Sequence, residues 1–265
     1  MSGKGNDAPK VMTAPARVSV VINTYNRASG LRVTLEGLRH QTHDDFEVVV
    51  VNGPSTDDTT AVLAEYADRV RVGQCAEPSL TRSRNVGISI ASGEVVAFID
   101  DDAIPEPAWL SDLCAGFDDA SIGGVGGIVY DHTGLRLQYQ YSVCSRDGEP
   151  RWDIAPPLER YLAPGSDPFL YLQGTNQSYL RRCLAEDGGF NERLEHYYDD
   201  SEISMRLIDA GHRLRALPGA AVHHKYLASS VRNHARVLID PYRVIKDRFC
   251  FALTAGPGRS APAVT

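Results

Sequence analysis

Short runs of β-branched apolar residues alternate with amphipathic stretches between residues 17 and 102. The runs read VSVVI, FEVVVV, VRV and VVAFI, and the first intervening stretch places Leu31, Leu35 and Leu38 at helical spacing. Continuous apolar strands separated by helices are typical of a mainly parallel sheet that is covered on both faces, because right-handed crossovers place the helices there. The alternation therefore predicts an α/β fold in which ligands collect at the carboxyl ends of the strands.

The second half of the chain is less regular. GGVGGIVY is predicted to be a strand, and residues 131 to 174, dense in Pro, Gly and Tyr, are interpreted as a functional insertion. A helix is predicted to begin near Asp200 and to end at Gly211, a favourable residue after a helix C-terminus. The last helical pattern, residues 231 to 249, is interrupted at Asp240-Pro241, where a new helix is predicted to begin.

Composition narrows the classes of function. Lys and Arg number 27 against 34 Asp and Glu, a formal net charge of -7, which argues against nucleic acid as a partner. The five cysteines are scattered without CxxC spacing, so neither a zinc site nor a disulfide framework is predicted. The N-terminus is polar and no apolar run approaches the ~20 residues that span a bilayer. We therefore expect a soluble, cytoplasmic protein.

Three aspartates, Asp100, Asp101 and Asp102, follow directly on the fourth predicted strand. Adjacent carboxylates repel one another, so their position at the ligand-binding edge of a sheet is costly unless a cation neutralises them. Mg²⁺ and Mn²⁺ bind carboxylate oxygens together with the phosphate oxygens of a substrate. The triplet therefore favours a metal-diphosphate site, and the alternative is a solvated acidic turn before the next helix.

Polar residues also end the first predicted strand, where Thr24, Tyr25, Asn26 and Arg27 follow VSVVI. Their side chains can hydrogen-bond a nucleotide, although a turn that caps the next helix would have a similar composition. Neither GxGxxG nor GxxxxGK[ST] follows this strand, which argues against a dinucleotide-binding fold or a P-loop.

Six short segments occur in a characteristic order along residues 18 to 226. They are TYNR at 24–27, VVVVNGPSTDDT, TRSRNVG at 81–87, GEVVAFIDDD, GGFNE at 188–192 and YYDDSEISMRL at 197–207. Each is weak evidence alone, but the ordered set is specific and resembles the inverting glycosyltransferases of family 2. The resemblance implies a GT-A fold, with a Rossmann-like, mainly parallel sheet flanked by helices and a smaller mixed subdomain on the acceptor side.

The resemblance implies a site for a nucleoside diphosphate. The matching positions for the nucleotide are Thr24, Tyr25, Asn26, Arg27, Asn52, Arg84, Asp100 and Asp101. Asn52 stands where the family usually has an Asp that accepts a hydrogen bond from the base. Because an amide both accepts and donates, the base stays open among those of UDP, dTDP and GDP.

A metal site is implied at the end of the fourth strand. By the resemblance, Asp102 binds a Mn²⁺ or Mg²⁺ ion that bridges the two phosphates, while Asp100 or Asp101 faces the ribose or a metal-bound water. The family often has a histidine near the position of His223 and His224, and we assign His224 to the metal, with a core histidine as the alternative. A neutral imidazole beside carboxylates favours Mn²⁺ over Mg²⁺.

The acidic pair of the family, which precedes an amphipathic helix, matches Asp199-Asp200. This implies that Asp200 is the general base that deprotonates the acceptor hydroxyl as its oxygen attacks opposite the leaving diphosphate. Alternatively, both carboxylates only favour the helix N-terminus, an effect worth ~0.3–1 kcal/mol. Another acidic pair, Glu186-Asp187, precedes GGF, whereas the family's pair follows it. The residues assigned to the donor sugar or acceptor are Gly174, Thr175, Asn176 and Asp199.

The sequence therefore predicts a metal-dependent, inverting glycosyltransferase that acts on a nucleoside-diphosphate sugar and a hydroxyl acceptor, a small molecule or a glycan. Its predicted parts are a flexible N-terminus (1–16), a nucleotide-binding half (17–102), a sugar and acceptor half (103–226), C-terminal helices (227–253) and a flexible tail (254–265). One alternative is a nucleotidyltransferase, but its usual glycine-rich basic loop is missing after the first strand. The other is a non-catalytic protein that binds sugar nucleotides or glycans, which the presence of both Asp102 and Asp200 disfavours.

Residues 223 to 248 are basic within an acidic protein, with six Lys or Arg against two Asp, a local net charge of +4. A solvated helix face is one interpretation of this excess. The functional interpretations are weak peripheral contact with an anionic membrane, contact with an acidic acceptor, or closure over the diphosphate.

Overall fold

The computed structural model describes residues 17–152 and 154–255. The N-terminal segment predicted to be flexible (1–16) lies outside these residues, as do residues 256–265 of the predicted tail. Thr254 and Ala255, which were predicted to belong to that tail, form the end of the last helix.

Twelve strands are found in the described part of the chain. In order they are β1 (Val18–Thr24), β2 (Phe46–Asn52), β3 (Val70–Gln74), β4 (Val95–Asp100), β5 (Ala103–Pro105), β6 (Ile122–Tyr130), β7 (Leu137–Tyr139), β8 (Ser142–Cys144), β9 (Pro150–Arg151), β10 (Phe169–Tyr171), β11 (Asn176–Leu180) and β12 (Arg213–His224).

Seven α-helices accompany them over the same described residues. They are α1 (Ala28–Leu38), α2 (Thr59–Glu65), α3 (Leu80–Ile90), α4 (Trp109–Ala115), α5 (Arg181–Glu186), α6 (Asp199–Asp209) and α7 (Pro241–Ala255). A single 3₁₀ turn, Glu159–Tyr161, lies in the irregular middle region. No helix within these ranges is both long and apolar enough to cross a bilayer.

One large sheet organises the molecule and confirms the predicted α/β architecture. Its strand order is β3-β2-β1-β4-β11-β6-β12-β5, with β7 paired to β6. The strands β3, β2, β1 and β4 are mutually parallel. The apolar runs of β1, β2 and β4 are buried, as is typical of a covered parallel sheet, whereas Val72 of the edge strand β3 is exposed. A second sheet of three short antiparallel strands, β10-β8-β9, lies in the middle region that was predicted to be an insertion.

The register of the sheet gathers chemically active residues at one edge. Thr24 is the partner of Asn52, and Asn23 that of Asp100, so β1, β2 and β4 end together. The antiparallel strand β11 pairs with β4, which places the segment just before β11 at the same edge. The strand β12 pairs with β5, so that His224 lies opposite Ala103 and next to the aspartate triplet. Residues far apart in the sequence therefore meet where β4 ends.

The helix predicted before Pro241 does not form. Residues 229–238 form turns, with isolated bridges from Arg232 to Ser229 and to Leu238. The Asn233 side chain accepts a hydrogen bond from the Val237 N–H, and Arg236 has a left-handed φ of 62°. Side-chain hydrogen bonds of this kind compete with helix formation, and a left-handed residue interrupts it. The helix α7 begins at Pro241, as predicted.

Gly127 in β6 lies against a bulge of β12 where no side chain fits. A Cβ at this position would lie 1.6 Å from the Ala220 carbonyl oxygen, which is backbone and cannot rotate away. We expect Gly127→Ala to destabilise the protein by about 3 kcal/mol or more, since overpacking against rigid backbone exceeds the usual core penalty. Thermal unfolding followed by circular dichroism should show a midpoint lower by about 10 °C.

Gly219→Ala provides the control for this prediction. A Cβ there would lie 3.3 Å from a carboxylate oxygen of Asp112, the end of a side chain that can move. Its melting midpoint should stay close to that of the unchanged protein. Equal midpoints for Gly127→Ala and Gly219→Ala would show that the close approach of β6 and β12 is not a constraint on the fold.

Candidate active site

A cavity of about 310 Å³ opens at the carboxyl edge of the large sheet. This volume lies at the lower end of the range of small-molecule sites. Its walls come from the ends of β1, β4 and β12, the loop before α3, the segment before β11, the start of α6, and α7. The residues predicted for the site that line it are Thr24, Tyr25, Arg27, Arg84, Asp100, Asp101, Asp102, Gly174, Thr175, Asp199, Asp200 and His224.

Asp100, Asp102 and His224 form a cluster on one side of this cavity. One ligand atom from each residue lies within 4.8 Å of the other two. His224 Nε2 is 3.3 Å from Asp102 Oδ1 and 3.7 Å from Asp100 Oδ2. Two carboxylates and one imidazole are a donor set that suits a divalent cation such as Mn²⁺. The chemistry and spacing of the described residues therefore fit the metal that the family resemblance implies.

A hydrogen bond to Gln138 orients the imidazole of His224. Nδ1 lies 3.1 Å from Gln138 Oε1, and an amide oxygen only accepts, so Nδ1 carries the proton. Nε2 therefore faces the carboxylates, where its lone pair would be available to a bound cation, the arrangement typical of metal-ligating histidines. His223 faces the other side of β12, where it stacks on Tyr130 and contacts Glu106. The geometry thus separates the two histidines that the sequence left as alternatives.

Arg27 braces the aspartate triplet. Its Nη2 lies 2.6 Å from Asp102 Oδ2 and 3.2 Å from Asp101 Oδ1, while Nη1 donates to the carbonyls of Leu227 and Ala228. The Leu227 N–H in turn donates to Asp102 Oδ2 over 2.7 Å. Arg27 was predicted to bind the nucleotide, and it does line the cavity. The contacts of Arg27 and of the Leu227 N–H join the triplet to the chain that follows β12.

The pKa values of Asp101 and Asp102, which both pair with Arg27, are shifted in opposite directions. Burial raises the pKa of Asp101 to about 7, although Arg27 opposes the rise. Burial acts the same way on Asp102, but the hydrogen bond from His224 and the charges of His224 and Arg27 outweigh it and hold its pKa below the usual range. Burial therefore favours the neutral form of Asp101, whereas His224 and Arg27 favour the ionised form of Asp102.

Asp199 and Asp200 face the cavity from the first turn of α6. Asp199 forms a buried ion pair with Arg84, whose Nη2 also donates to the Gly174 carbonyl over 3.1 Å. Asp200 Oδ2 accepts the Gly174 N–H over 3.1 Å, and its Oδ1 accepts the Ser201 N–H over 2.7 Å. A carboxylate in the first turn of α6 can stabilise the helix N-terminus and still face the cavity, so the two interpretations of this pair are compatible.

Aromatic rings hold Arg84 in place. Its guanidinium lies 5.1 Å from the ring centre of Phe190 and 5.6 Å from that of Phe98, and the two rings meet edge to face. Phe190 is the aromatic residue of the GGFNE segment. Phe190 of that segment therefore holds the guanidinium of Arg84, which pairs with Asp199, in place.

Burial makes both aspartates of the pair weak acids. Desolvation raises the pKa of Asp199 to about 7 against the opposing charge of Arg84, and the neighbouring Asp200 adds to the rise. Desolvation raises the pKa of Asp200 in the same direction. A single arginine thus serves two carboxylates, and Asp200 is a base of raised proton affinity, the property that general-base catalysis near neutral pH requires.

The loop before this pair is held by α7. The buried carboxylate of Asp247 accepts the backbone N–H groups of His196 and Tyr197 at 2.9 and 3.0 Å, and that of Glu195 at 3.4 Å. Tyr198, left-handed at φ 62°, stacks on Phe251 of α7. The position of the acidic pair therefore depends on how α7 is docked.

Replacing Asp247 by Ala should impair turnover through the position of Asp200 rather than through the nucleotide. Removing the acceptor frees three N–H groups and the loop that carries the acidic pair, and small displacements of a catalytic group cost up to about 10²-fold in rate. We expect kcat for sugar transfer to fall by about 10- to 100-fold, with little change in the affinity for nucleoside diphosphate measured by calorimetry.

The conservative variant Asp247→Asn serves as the control, because its amide oxygen still accepts at this position. Its kcat should lie between those of the unchanged protein and of Asp247→Ala. If Asp247→Ala instead weakened nucleotide binding and left kcat unaltered, the positioning role would be wrong.

Three predicted site residues do not line the cavity. Asn176 is fully buried in the sheet, where Oδ1 accepts from the Trp109 indole and Nδ2 donates to two carbonyls, so it has no group left for a sugar. Asn52 Oδ1 accepts the Ser55 hydroxyl at 2.7 Å. Asn26 Oδ1 accepts the Thr56 N–H at 2.7 Å, with a left-handed φ of 54° that Asn tolerates. Asn26 and Asn52 therefore shape the loop after β2.

Several cavity residues were not predicted from the sequence. Tyr226 and Arg232 form a stacked pair, with the guanidinium 3.4 Å from the ring centre, and Arg243 reaches the cavity from α7. The net charge of +4 over residues 223 to 248 was the only signal for these arginines. Thr175, which was predicted, has its hydroxyl buried without a hydrogen-bond partner among the described residues, as expected of a group that binds a ligand.

Comparison with known proteins gives consistent matches. The family described as Glycosyl transferase family 2 matches residues 19–186. Chondroitin synthase of Escherichia coli is 26% identical over 248 residues, which cover 83% of this chain and 36% of that protein. Validoxylamine A glucosyltransferase of Streptomyces hygroscopicus subsp. jinggangensis is 39% identical over 214 residues, 72% of this chain and 51% of that protein. The chain thus spans about a third to a half of the length of these relatives.

A solved structure shows the same fold. The mannosyltransferase PcManGT from Pyrobaculum calidifontis, determined in complex with GDP-Man and Mn²⁺, superposes with a TM-score of 0.61. The match covers 97% of this chain and 81% of that one at 19% sequence identity. At this identity the similarity concerns the arrangement of strands and helices.

Proposed function

The chain belongs to glycosyltransferase family 2, and on that premise we propose that it transfers a sugar from a nucleoside diphosphate to a hydroxyl acceptor, with inversion at the anomeric carbon. The observation that carries the proposal is the sharing of one cavity by a carboxylate-histidine cluster and a buried acidic pair. The first suits a diphosphate with its cation, and the second suits a proton acceptor. An inverting transfer needs both functions in a single site.

Asp200 is the proposed general base. The acceptor oxygen forms a bond to the anomeric carbon as the bond from that carbon to the diphosphate oxygen breaks, and the hydroxyl proton passes to the Asp200 carboxylate. The Gly174 N–H holds this carboxylate through Oδ2, and the Ser201 N–H holds it through Oδ1. Arg84 pairs with the neighbouring Asp199, and its positive charge favours the ionised form of both aspartates.

Asp100, Asp102 and His224 are the proposed metal ligands, with Mn²⁺ favoured over Mg²⁺ by the imidazole. A bound divalent cation would neutralise the charge that develops on the departing diphosphate. Arg27 keeps Asp102 in place, and Gln138 keeps Nε2 of His224 directed at the cluster. These residues therefore prepare the site before the donor binds.

The nucleotide is proposed to lie along the ends of β1 and β4. Tyr25 is exposed at the rim and packs close to Gly53, where its ring can stack on a base. Thr24 is buried beneath it at the end of β1. The donor sugar then extends toward Gly174 and Thr175, which brings the anomeric carbon to the side of the cavity that holds Asp200. The proposed donor is a sugar linked to UDP, dTDP or GDP.

A panel of UDP-, dTDP- and GDP-sugars, each incubated with and without MnCl₂, tests the proposal. Release of nucleoside diphosphate from one donor, dependent on the cation, is the expected result. A parallel assay with nucleoside triphosphates and sugar 1-phosphates covers the alternative, because release of pyrophosphate from that mixture would identify a nucleotidyltransferase instead. Donor binding in calorimetry without release of any product, even with mixed hydroxyl acceptors, would identify a protein that only binds sugar nucleotides.

The raised pKa of Asp200 predicts the pH profile of transfer. The base acts only when it is deprotonated, so kcat/KM should rise with pH through the raised pKa, and the acid limb should lie well above the ~4 of an ordinary Asp. Arg84 lowers the pKa of this pair by its charge. Arg84→Gln should therefore move the acid limb to higher pH.

Arg84→Lys keeps the positive charge and should move the limb much less than Arg84→Gln does. The profile is measured as initial rate against pH at saturating Mn²⁺, with circular dichroism at each pH to exclude unfolding. An acid limb that is the same in all three proteins would show that the acidic pair does not control the rate.

A further inference from the structure

Large apolar side chains are exposed along α7 and the loop before it. On α7, Tyr242, Ile245 and Phe249 are 71%, 55% and 66% exposed. They lie one and two turns apart and therefore share one side of the helix. In the loop, the consecutive residues Val237, Leu238 and Ile239 are 57%, 42% and 55% exposed. We call these six residues the apolar face. Large exposed apolar side chains concentrated in one segment of the chain favour an interaction site.

The helix that carries this face is firmly docked on its other side. Phe251 is fully buried against Phe169 and Tyr198, and Asp247 is fully buried beneath the loop that precedes α6. The exposure of the apolar face is therefore a property of the folded molecule and does not result from a helix that is only loosely attached.

Basic side chains occur in the same segment of the chain as the apolar face. Residues 225 to 255 contain six Lys or Arg and two Asp, a net charge of +4 in a protein of net charge -7. Arg236 is exposed beside the three loop residues. Lys246 and Arg248 pair with Glu195 and Glu149 at the surface. Since surface ion pairs contribute little, these two cations can exchange their partners for lipid phosphates.

We propose that the apolar face docks on an anionic lipid bilayer. The apolar side chains would enter the boundary between headgroups and acyl chains, and the basic residues would contact lipid phosphates. Tyr and Phe are suited to this depth because part of each ring remains near the headgroups. The proposal concerns a surface outside the cavity and holds or fails independently of the proposed function.

The shape of the loop favours a fluid partner over a protein. Val237, Leu238 and Ile239 are consecutive and all exposed, so a partner that covers them must fit around the backbone of the loop. A bilayer surrounds such a tip from every side. Residues 1–16 and 256–265 are also poorly suited to pack on the apolar face, because they contain few large apolar residues. These are Met1, Val11, Met12 and Val264.

Docking in this manner would bring the cavity close to the membrane. Arg232 and Arg243 line the cavity and belong to the same basic segment as the apolar face. The orientation follows from the fold, because Asp247 and Phe251 tie α7 to the loop before Asp199 and Asp200. A bilayer under α7 would thus lie beside the rim of the cavity.

Vesicle flotation tests the proposal with the full chain. The protein is mixed with vesicles of phosphatidylcholine alone, or of equal parts phosphatidylcholine and phosphatidylglycerol, and floated at low and high salt. We expect flotation only with the anionic vesicles, weakened by salt. The triple variant Tyr242→Ser, Ile245→Ser, Phe249→Ser should bind the anionic vesicles at least about tenfold less than the unchanged protein does. Arg236→Glu should weaken vesicle binding both in the unchanged protein and in the triple variant.

Val33→Ser is the matched control, because Val33 is 47% exposed on α1, away from α7. It should float as the unchanged protein does, and all variants should melt at similar temperatures since the altered residues are exposed. Absence of flotation with both vesicle types would overturn the proposal. A concentration-dependent dimer in light scattering that the triple variant abolishes would assign the face to a second copy and overturn it as well.

Discussion

Replacing Asp200 by Asn is expected to slow sugar transfer by about 10²- to 10⁴-fold, the usual contribution of a general base. The amide has the same shape as the carboxylate, and its oxygen can still accept the Gly174 N–H. It cannot take a proton from the acceptor hydroxyl. The loss should therefore fall on kcat, while the affinity for nucleoside diphosphate and Mn²⁺, measured by calorimetry, stays within about twofold.

Asp187→Asn is the matched control for this variant. Asp187 belongs to the other acidic pair near the same helix, and its carboxylate pairs with Arg206 and does not line the cavity. Its loss should lower the melting midpoint and leave the transfer rate nearly unchanged. If Asp200→Asn kept most of the wild-type rate, the base would have to be another group, and Asp199 would be the next candidate.

The cluster of Asp100, Asp102 and His224 could be predicted from the sequence because it depends on strand ends. The run VVAFI followed by three aspartates predicts carboxylates at the edge of a parallel sheet, and the resemblance to the family placed His224 near them. Pairing of β12 with β5 brings His224 beside Asp102 in the structure. The position of such residues can be predicted from the sequence, because a residue that follows an apolar parallel strand lies at the carboxyl edge of the sheet.

The contacts that could not be predicted from the sequence depend on packing between distant segments. Arg27 follows the first strand and has the sequence context of a nucleotide ligand, but its guanidinium reaches the carbonyls of Leu227 and Ala228. Asn176 lies in a segment that lines the cavity up to Thr175, and one residue later the strand alternation turns its side chain into the sheet. Neither result follows from local spacing.

The negative charge of the aspartates explains why the site contains Arg27 and Arg84. Five aspartates face one cavity, and buried carboxylates without partners are costly. Arg27 serves Asp101 and Asp102, and Arg84 serves Asp199, so each cluster has one internal cation. Arg84 is fixed by aromatic rings, and Arg27 by backbone carbonyls. Arg232 and Arg243 are the further arginines of the cavity wall, and they come from the segment that carries the apolar face.

Replacing Asp102 by Asn is expected to weaken Mn²⁺ binding by at least about a hundredfold, since even the residues that only support metal ligands contribute up to that much. Asp102 is the carboxylate that remains ionised, held by Arg27 and His224, and an amide oxygen is a weaker ligand without charge. Titration of Mn²⁺ in the presence of UDP, followed by electron paramagnetic resonance, measures the affinity directly. Transfer should fall in parallel at moderate Mn²⁺ concentrations.

Asp101→Asn is the control, because Asp101 lies between the two proposed ligands in sequence but outside their cluster. Its burial already favours the neutral form, so the amide should leave the Mn²⁺ affinity nearly unchanged. His224→Ala should weaken Mn²⁺ binding less than Asp102→Asn does, since it removes a ligand but no negative charge. Equal Mn²⁺ affinity in Asp101→Asn and Asp102→Asn would contradict the assignment, because the two aspartates would then be interchangeable and the arrangement of Asp100, Asp102 and His224 would not define the metal site.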